Sequence, residues 1–223
     1  MKKYKIKIKT AALILGLMLP LTAQCQDSSI GNWLIYIGNK QLSQEWNLHN
    51  EVQYRNYNLI GNLEQLLVRT GLGYTFNDRK SNLLLGYGYI LSENYLDHNN
   101  TAKVTVNEHR IFQQFSTKQK IGLVGLNHRY RFEQRFVESN YKMRFRYFVG
   151  LNIPIIKSEK NILYFSAYNE IFLNTASSVF DRNRLYGGLG YSINNVRIEA
   201  GYMTQFFEDS SRDQFNIITF VNF

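Results

Sequence analysis

The sequence predicts an all-β fold, an antiparallel transmembrane β-barrel of about 10 to 12 strands with a polar, charged lumen. Three observations predict it. Apolar and polar residues alternate with period 2 through long stretches, as in strands that present one face to a nonpolar phase. The last nine residues, FNIITFVNF, put Phe215, Ile217, Thr219, Val221 and Phe223 on one side of such a strand, with Gln214, Asn216 and Asn222 opposite, interrupted by Ile218 and Phe220. The chain also opens on a segment organised like an export leader.

That leader has a positive start in Lys2, Lys3, Lys5, Lys7 and Lys9, an apolar run from Ala11 to Leu21, and Ala23-Gln24-Cys25 as a small-x-small cleavage context. The apolar run is too short to span a bilayer as a helix. Cleavage after residue 25 removes five of the 26 Lys and Arg, leaving 21 basic against 17 acidic residues. The formal charge of +9 then falls to +4, and no nucleic-acid partner is expected. Cys25, the only cysteine, reads either as the last leader residue or as a lipid-attachment site. Gln24 is the wrong neighbour for the second reading. The mature domain, 26–223, has single-domain length. It contains no apolar run long enough for a membrane helix, yet 15% of the whole chain is aromatic.

Eleven segments carry the alternation, in order near 30–38, 45–56, 64–76, 82–92, 106–116, 120–136, 141–156, 161–174, 182–193, 195–206 and 213–223. The third sets Leu66, Val68, Leu72, Tyr74 and Phe76 on one face; the fourth sets Leu83, Leu85, Tyr87, Tyr89 and Leu91. The seventh places Tyr141, Met143, Phe145, Tyr147, Val149, Leu151, Ile153 and Ile155 opposite Lys142, Arg144, Arg146, Gly150 and Asn152. Most reach the roughly 9 to 11 residues that a tilted strand needs to cross a bilayer.

With a periplasmic C-terminus, the connections at 39–44, 77–81, 117–119, 157–160 and 194–195 become periplasmic turns, and those at 57–63, 93–105, 137–140, 175–181 and 207–212 become outer loops. Outward aromatics collect toward both rims. Trp46, Tyr74, Phe76, Tyr191 and Phe223 fall at one, and Tyr54, Tyr89, Phe132, Phe136, Tyr141 and Phe206 at the other. Eleven strands cannot return both termini to one side. The expectation is therefore either ten, with 30–38 as a half-strand or tucked segment, or twelve, with one more strand hidden in a loop or the leader.

The opposite, inward positions carry Arg110, Arg129, Arg131, Glu133, Arg135, Arg144, Arg146, Glu170, Arg184, Arg197 and Glu199. On a lipid face each Arg near the midplane would cost about 2 to 4 kcal/mol, so these residues are assigned to the lumen. Their motifs, HRYRFEQRF at 128–136, RFRYFVGLNIPI at 144–155, YNEIFLN at 168–174, DRNRLYGGLGY at 181–191 and EAGYMTQF at 199–206, resemble the domain of unknown function 2490 family. The resemblance runs from Trp33 to Phe223. It implies an outer-membrane β-barrel of a kind found mainly in Bacteroidota, with no established activity and no catalytic residue to carry over.

Two readings of the lattice follow. In one, side chains fill a narrow barrel and Glu133, Glu170 and Glu199 neutralise neighbouring arginines. In the other, surplus Arg makes a small porin-like constriction for an anionic solute. The partners expected are outer-membrane lipid, the barrel-assembly machinery acting on Val221 and Phe223 of the last strand, and, on the second reading, that small anionic solute.

An outer-membrane enzyme acting on lipid or lipopolysaccharide is the alternative, and it needs a Ser–His–acid set. None of His49, His98, His109 or His128 has a Ser two residues on, and His128 reads as an interfacial or packing side chain. The carboxylates are surrounded by Arg, which suits ion pairing rather than acid–base work. No enzyme activity, cofactor or metal is expected; Asp97, His98, Asn99 and Asn100 form a polar surface loop. The glycines of GLGY at 71–74, GYGY at 86–89 and GGLGY at 187–191 lie within strands, so they make room for large inward side chains rather than cradle phosphate.

Overall fold

The computed structural model describes residues 30–96, 102–158, 161–176 and 178–223. The leader, Cys25 and the loop residues Asp97 to Asn100 lie outside them. All regular structure among the described residues is strand: β1 (Gly31–Gln41), β2 (Trp46–Asn56), β3 (Leu63–Thr75), β4 (Ser81–Tyr95), β5 (Lys103–Ile121), β6 (Val124–Val137), β7 (Asn140–Lys157), β8 (Asn161–Asn174), β9 (Phe180–Ile193), β10 (Val196–Phe206) and β11 (Ser211–Asn222).

Each strand pairs antiparallel with its sequence neighbour, and the sheet closes where β1 meets β11. That seam is parallel, running from Gly31 opposite Gln214 to Asn39 opposite Asn222. The barrel therefore has neither ten nor twelve strands but eleven, and it is antiparallel everywhere except the seam. The two remaining edges of an odd meander point the same way, so parallel pairing is the one way to satisfy both. Ile30 consequently lies at the loop rim and Phe223 at the turn rim. The backbone extends the seam past the last paired residues: Phe223 N donates to Asn39 O at 2.8 Å, and Gln41 N to Phe223 O at 3.2 Å.

Turn chemistry explains most strand ends. Gly122 and Asn194 adopt left-handed φ angles of 59° and 50° in two-residue turns, a conformation that Gly and Asn tolerate best. The turn expected at 117–119 is displaced to Gly122, because β5 and β6 stay paired from Thr117–His128 out to Ile121–Val124. At 77–80, Asp78 Oδ1 accepts from the backbone of Lys80 (2.8 Å) and Ser81 (2.9 Å), and those bonds, Ser81's first, hold its carboxyl below the usual range. On the loop rim Glu138, at φ 49°, is held by Asn107, whose N donates to Glu138 Oε1 and whose O accepts from Glu138 N.

The two faces of the wall are opposite in chemistry. Outward positions are large and apolar, with Leu34, Val52, Val68, Leu85, Ile111, Phe145, Leu185, Ile198 and Ile217 all exposed. Inward positions are buried and mostly polar. Inside the wall, Trp33, Tyr186, Met203 and Ile218 pack together, with Ile35, Ile37, Tyr168 and Phe220 against them. Ile218 and Phe220, which break the polar side of the last strand, are thus part of an internal apolar plug.

Candidate functional site

Charged side chains fill the centre and loop-side half of the interior. Seven arginines (55, 69, 110, 131, 144, 146 and 184) and five glutamates (51, 108, 133, 170 and 199) are buried. They come from β2 to β10 because alternation aims every second residue of those strands at the axis.

Glu133 on β6 is the hub. Arg144 Nη2 and Arg146 Nη1, both on β7, each lie 2.7 Å from it; Arg131 stands at 3.7 Å and Arg69 at 4.0 Å. Arg146 continues to Glu170 at 2.6 Å, and Arg129 reaches the same carboxylate at 2.7 Å. Glu108 takes Arg110 at 2.5 Å and Arg135 at 2.6 Å. Glu199 accepts from Tyr164 Oη at 2.8 Å with Arg197 at 3.5 Å. Arg184 approaches Glu170 only to 3.9 Å and donates instead to Gln205. All eleven lattice residues expected from the sequence therefore point inward, with Arg129, Arg135 and Arg197 the wetter ones at 25%, 17% and 37% of their side chains.

Aromatic rings act as posts between the guanidiniums. Phe172 has Arg144, Arg146 and Arg184 at 5.1, 4.4 and 4.5 Å from its centroid, and Phe112 has Arg131 at 4.7 Å. Inward glycines supply the space for such rings. A Cβ on Gly86 would collide with the Phe112 ring, and one on Gly190 with the Tyr164 ring.

Several members of the lattice were not among the residues read from the sequence. Glu51 and Arg69 form a buried pair at 3.1 Å, and their strict alternation within β2 and β3 was the available signal. Asp181 and Glu64 carried no such signal, because each sits at an irregularity in register. Phe172 pairs with Arg182 but Leu173 with Phe180, and Arg55 pairs with Gln65 but Asn56 with Leu63. The extra residue is re-aimed inward, as bulges do. Asp181 thereby reaches Arg144 at 2.8 Å, and Glu64 reaches Arg212 at 2.6 Å.

The lattice leaves little free space. Arg131, Glu133, Arg144 and Glu170 are exposed by 2%, 0%, 4% and 3%. A continuous water-filled path past them would wet them. Ion pairs so placed contribute little net stability, because desolvation offsets the Coulomb gain. They do specify register: a one-residue slip would turn the arginines toward the outer, apolar face.

The histidines fall elsewhere. His128 faces outward with its Nδ1 3.0 Å from Tyr147 Oη, and His109 Nδ1 lies 2.5 Å from Tyr87 Oη. His49 is held by Asn39 and lies 3.5 Å from Glu51. Among the described residues no three His, Cys, Asp or Glu side chains gather as a metal set. Val221 and Phe223 lie on the outer face, Phe223 largely exposed at the turn rim.

A closed eleven-stranded barrel, apolar outside and ionic within, is the class of protein these features define. The chain belongs to the family described as Protein of unknown function (DUF2490), whose profile matches residues 30–216. It is also 32% identical over 165 residues to an uncharacterized protein of Methylorubrum extorquens (strain AM1), covering 70% of this chain and 69% of the relative. No solved structure matches it.

Proposed function

We propose that this protein is an integral outer-membrane β-barrel without catalytic activity, whose ionic interior is a packed core that fixes the wall rather than an open pore. The observation that carries this reading is the inversion of the two faces. A barrel folded in water would bury Leu85, Leu185, Leu189 and Ile198, each at least half exposed here, and turn Glu133 and Arg131 to solvent.

Polar residues of the outer face also behave as they must in lipid, since they meet each other across strands. Thr70 bonds Asn50 at 3.1 Å, Gln113 bonds Gln134 at 3.3 Å and Asn169 bonds Asn183 at 2.7 Å. Rings at both rims support the same placement. Trp46, Tyr74 and Phe76 form an edge-on series at the turn rim, and Phe136 meets Tyr141 at the loop rim. The export leader and the terminal Phe223 supply a route there, through the periplasm and the barrel-assembly machinery. The described histidines meet amide, carboxylate and phenol groups.

Fractionation tests the placement. The protein is expected in detergent extracts of outer membranes, migrating faster on gels when unheated than after boiling. Recovery in the soluble periplasmic fraction, with no heat-dependent shift, would overturn it.

A further inference from the structure

We propose that the loop-side interior holds a site for a small oxyanion, against Trp33 and between Arg55 and Arg184. It deepens the reading of the interior as a charged core, but does not require that the barrel lie in a membrane. Positive charge here lacks a close carboxylate. Arg144, Arg146, Arg110 and Arg135 each have a carboxylate oxygen within 2.8 Å. Arg55 instead donates to amides, with Nη1 2.7 Å from Gln65 Oε1 and Nε 3.0 Å from Gln53 Oε1. Arg184 Nε donates to Gln205 at 2.8 Å, and its nearest carboxylate, Glu170 at 3.9 Å, is already shared by Arg129 and Arg146.

One ring brings the two surplus charges together. The guanidinium carbons of Arg55 and Arg184 lie 3.7 Å and 4.8 Å from the centroid of Trp33. Beside them are two buried N–H donors without hydrogen-bond partners, Trp33 Nε1 and Gln214 Nε2. Gln214 belongs to the same cluster, because Gln205, which takes Arg184, donates to its Oε1 at 3.0 Å. Asn216, opposite Trp33 across the seam, has a buried and unpartnered Oδ1.

Water could meet the free N–H groups but not the charge. An oxyanion does both: its oxygens accept from Arg55, Arg184, Trp33 and Gln214, and the P–OH of a hydrogen phosphate has Asn216 to donate to. Arg55 is one residue from the loop-rim end of β2, which places the entrance on that side.

The chain has two tryptophans, Trp33 and the rim residue Trp46, so a Trp46→Phe background makes Trp33 the sole fluorophore. Folded, detergent-extracted protein, verified by heat-shifted migration, is titrated with inorganic phosphate while Trp33 emission is followed. A saturable change is expected that chloride at matched ionic strength does not produce. Arg55→Gln and Arg184→Gln should each weaken it at least about tenfold, the scale of a lost charge-assisted hydrogen bond, while Arg197→Gln leaves it in place. No saturable response in the parent protein overturns the site outright, as does a response equalled by chloride or retained in both Arg variants. Appearance of folded protein in the soluble fraction would sink the membrane placement alone.

Discussion

Glu133 shows why single residues matter in this interior. It is fully buried and takes two guanidiniums at 2.7 Å, so its removal leaves Arg144 and Arg146 with Asp181 and Glu170 as their remaining carboxylates. Breaking a buried pair from one side costs more than the pair contributes, because the stranded charge keeps its desolvation penalty. Glu133→Ala is expected to destabilise the barrel by about 3 to 5 kcal/mol, and Glu133→Gln, which keeps an acceptor oxygen, by less. Urea unfolding in detergent, followed by tryptophan emission, measures both. An alanine variant within about 1 kcal/mol of the parent would mean that Glu133 is not the hub. Alternation alone was enough to aim Glu133, Arg144 and Arg146 inward. It could not show that Arg55 and Arg184 are left without close carboxylates, since that depends on distances across the barrel.

Strands were legible wherever parity was unbroken. The segments read from 45–56, 161–174 and 195–206 match β2, β8 and β10 to within one residue at each end. Parity failed at the bulges, where Glu64 and Asp181 change face, and it carries no information about which edges meet. The parallel seam was illegible for that reason: the choice among ten, eleven and twelve strands depends on pairing between residues some 180 positions apart. That seam also gives Phe223 a structural task. Its backbone makes the last two hydrogen bonds between β11 and β1, and its exposed ring completes the turn-side aromatic series. Deleting Phe223 removes both bonds together with the terminal aromatic. The yield of folded, heat-shifted barrel in outer membranes should fall several-fold, the deficit appearing as degraded or aggregated chain. Phe223→Tyr, which keeps backbone and ring, should assemble normally. Equal assembly of the deletion and the parent would remove Phe223 from the assembly signal and from closure alike.

At the scale of the whole molecule, the decisive property is what fills the barrel. An eleven-stranded wall encloses a narrow lumen, and here it contains an apolar plug around Trp33, Tyr186, Met203 and Ile218 and, beside it, an ion-pair lattice. Each layer opposes conduction by a different route. The plug fills its part of the lumen with large side chains, and the lattice binds most of its charges to one another so that few are left to replace an ion's hydration shell. The ion pairs among the buried arginines and glutamates would have to part for a path to open, each parting exposing an unpaired charge. Purified protein in planar bilayers is therefore expected to show no stepwise current over the range in which open barrels of this class conduct. As a positive control on insertion, the same vesicles should contain heat-shifted protein. Anion-selective steps in the parent protein would show that the lattice parts on the conduction timescale and would restore a porin-like function. Silence from inserted protein, together with phosphate binding at Trp33, would instead describe a barrel that holds an anion within its wall without passing it through.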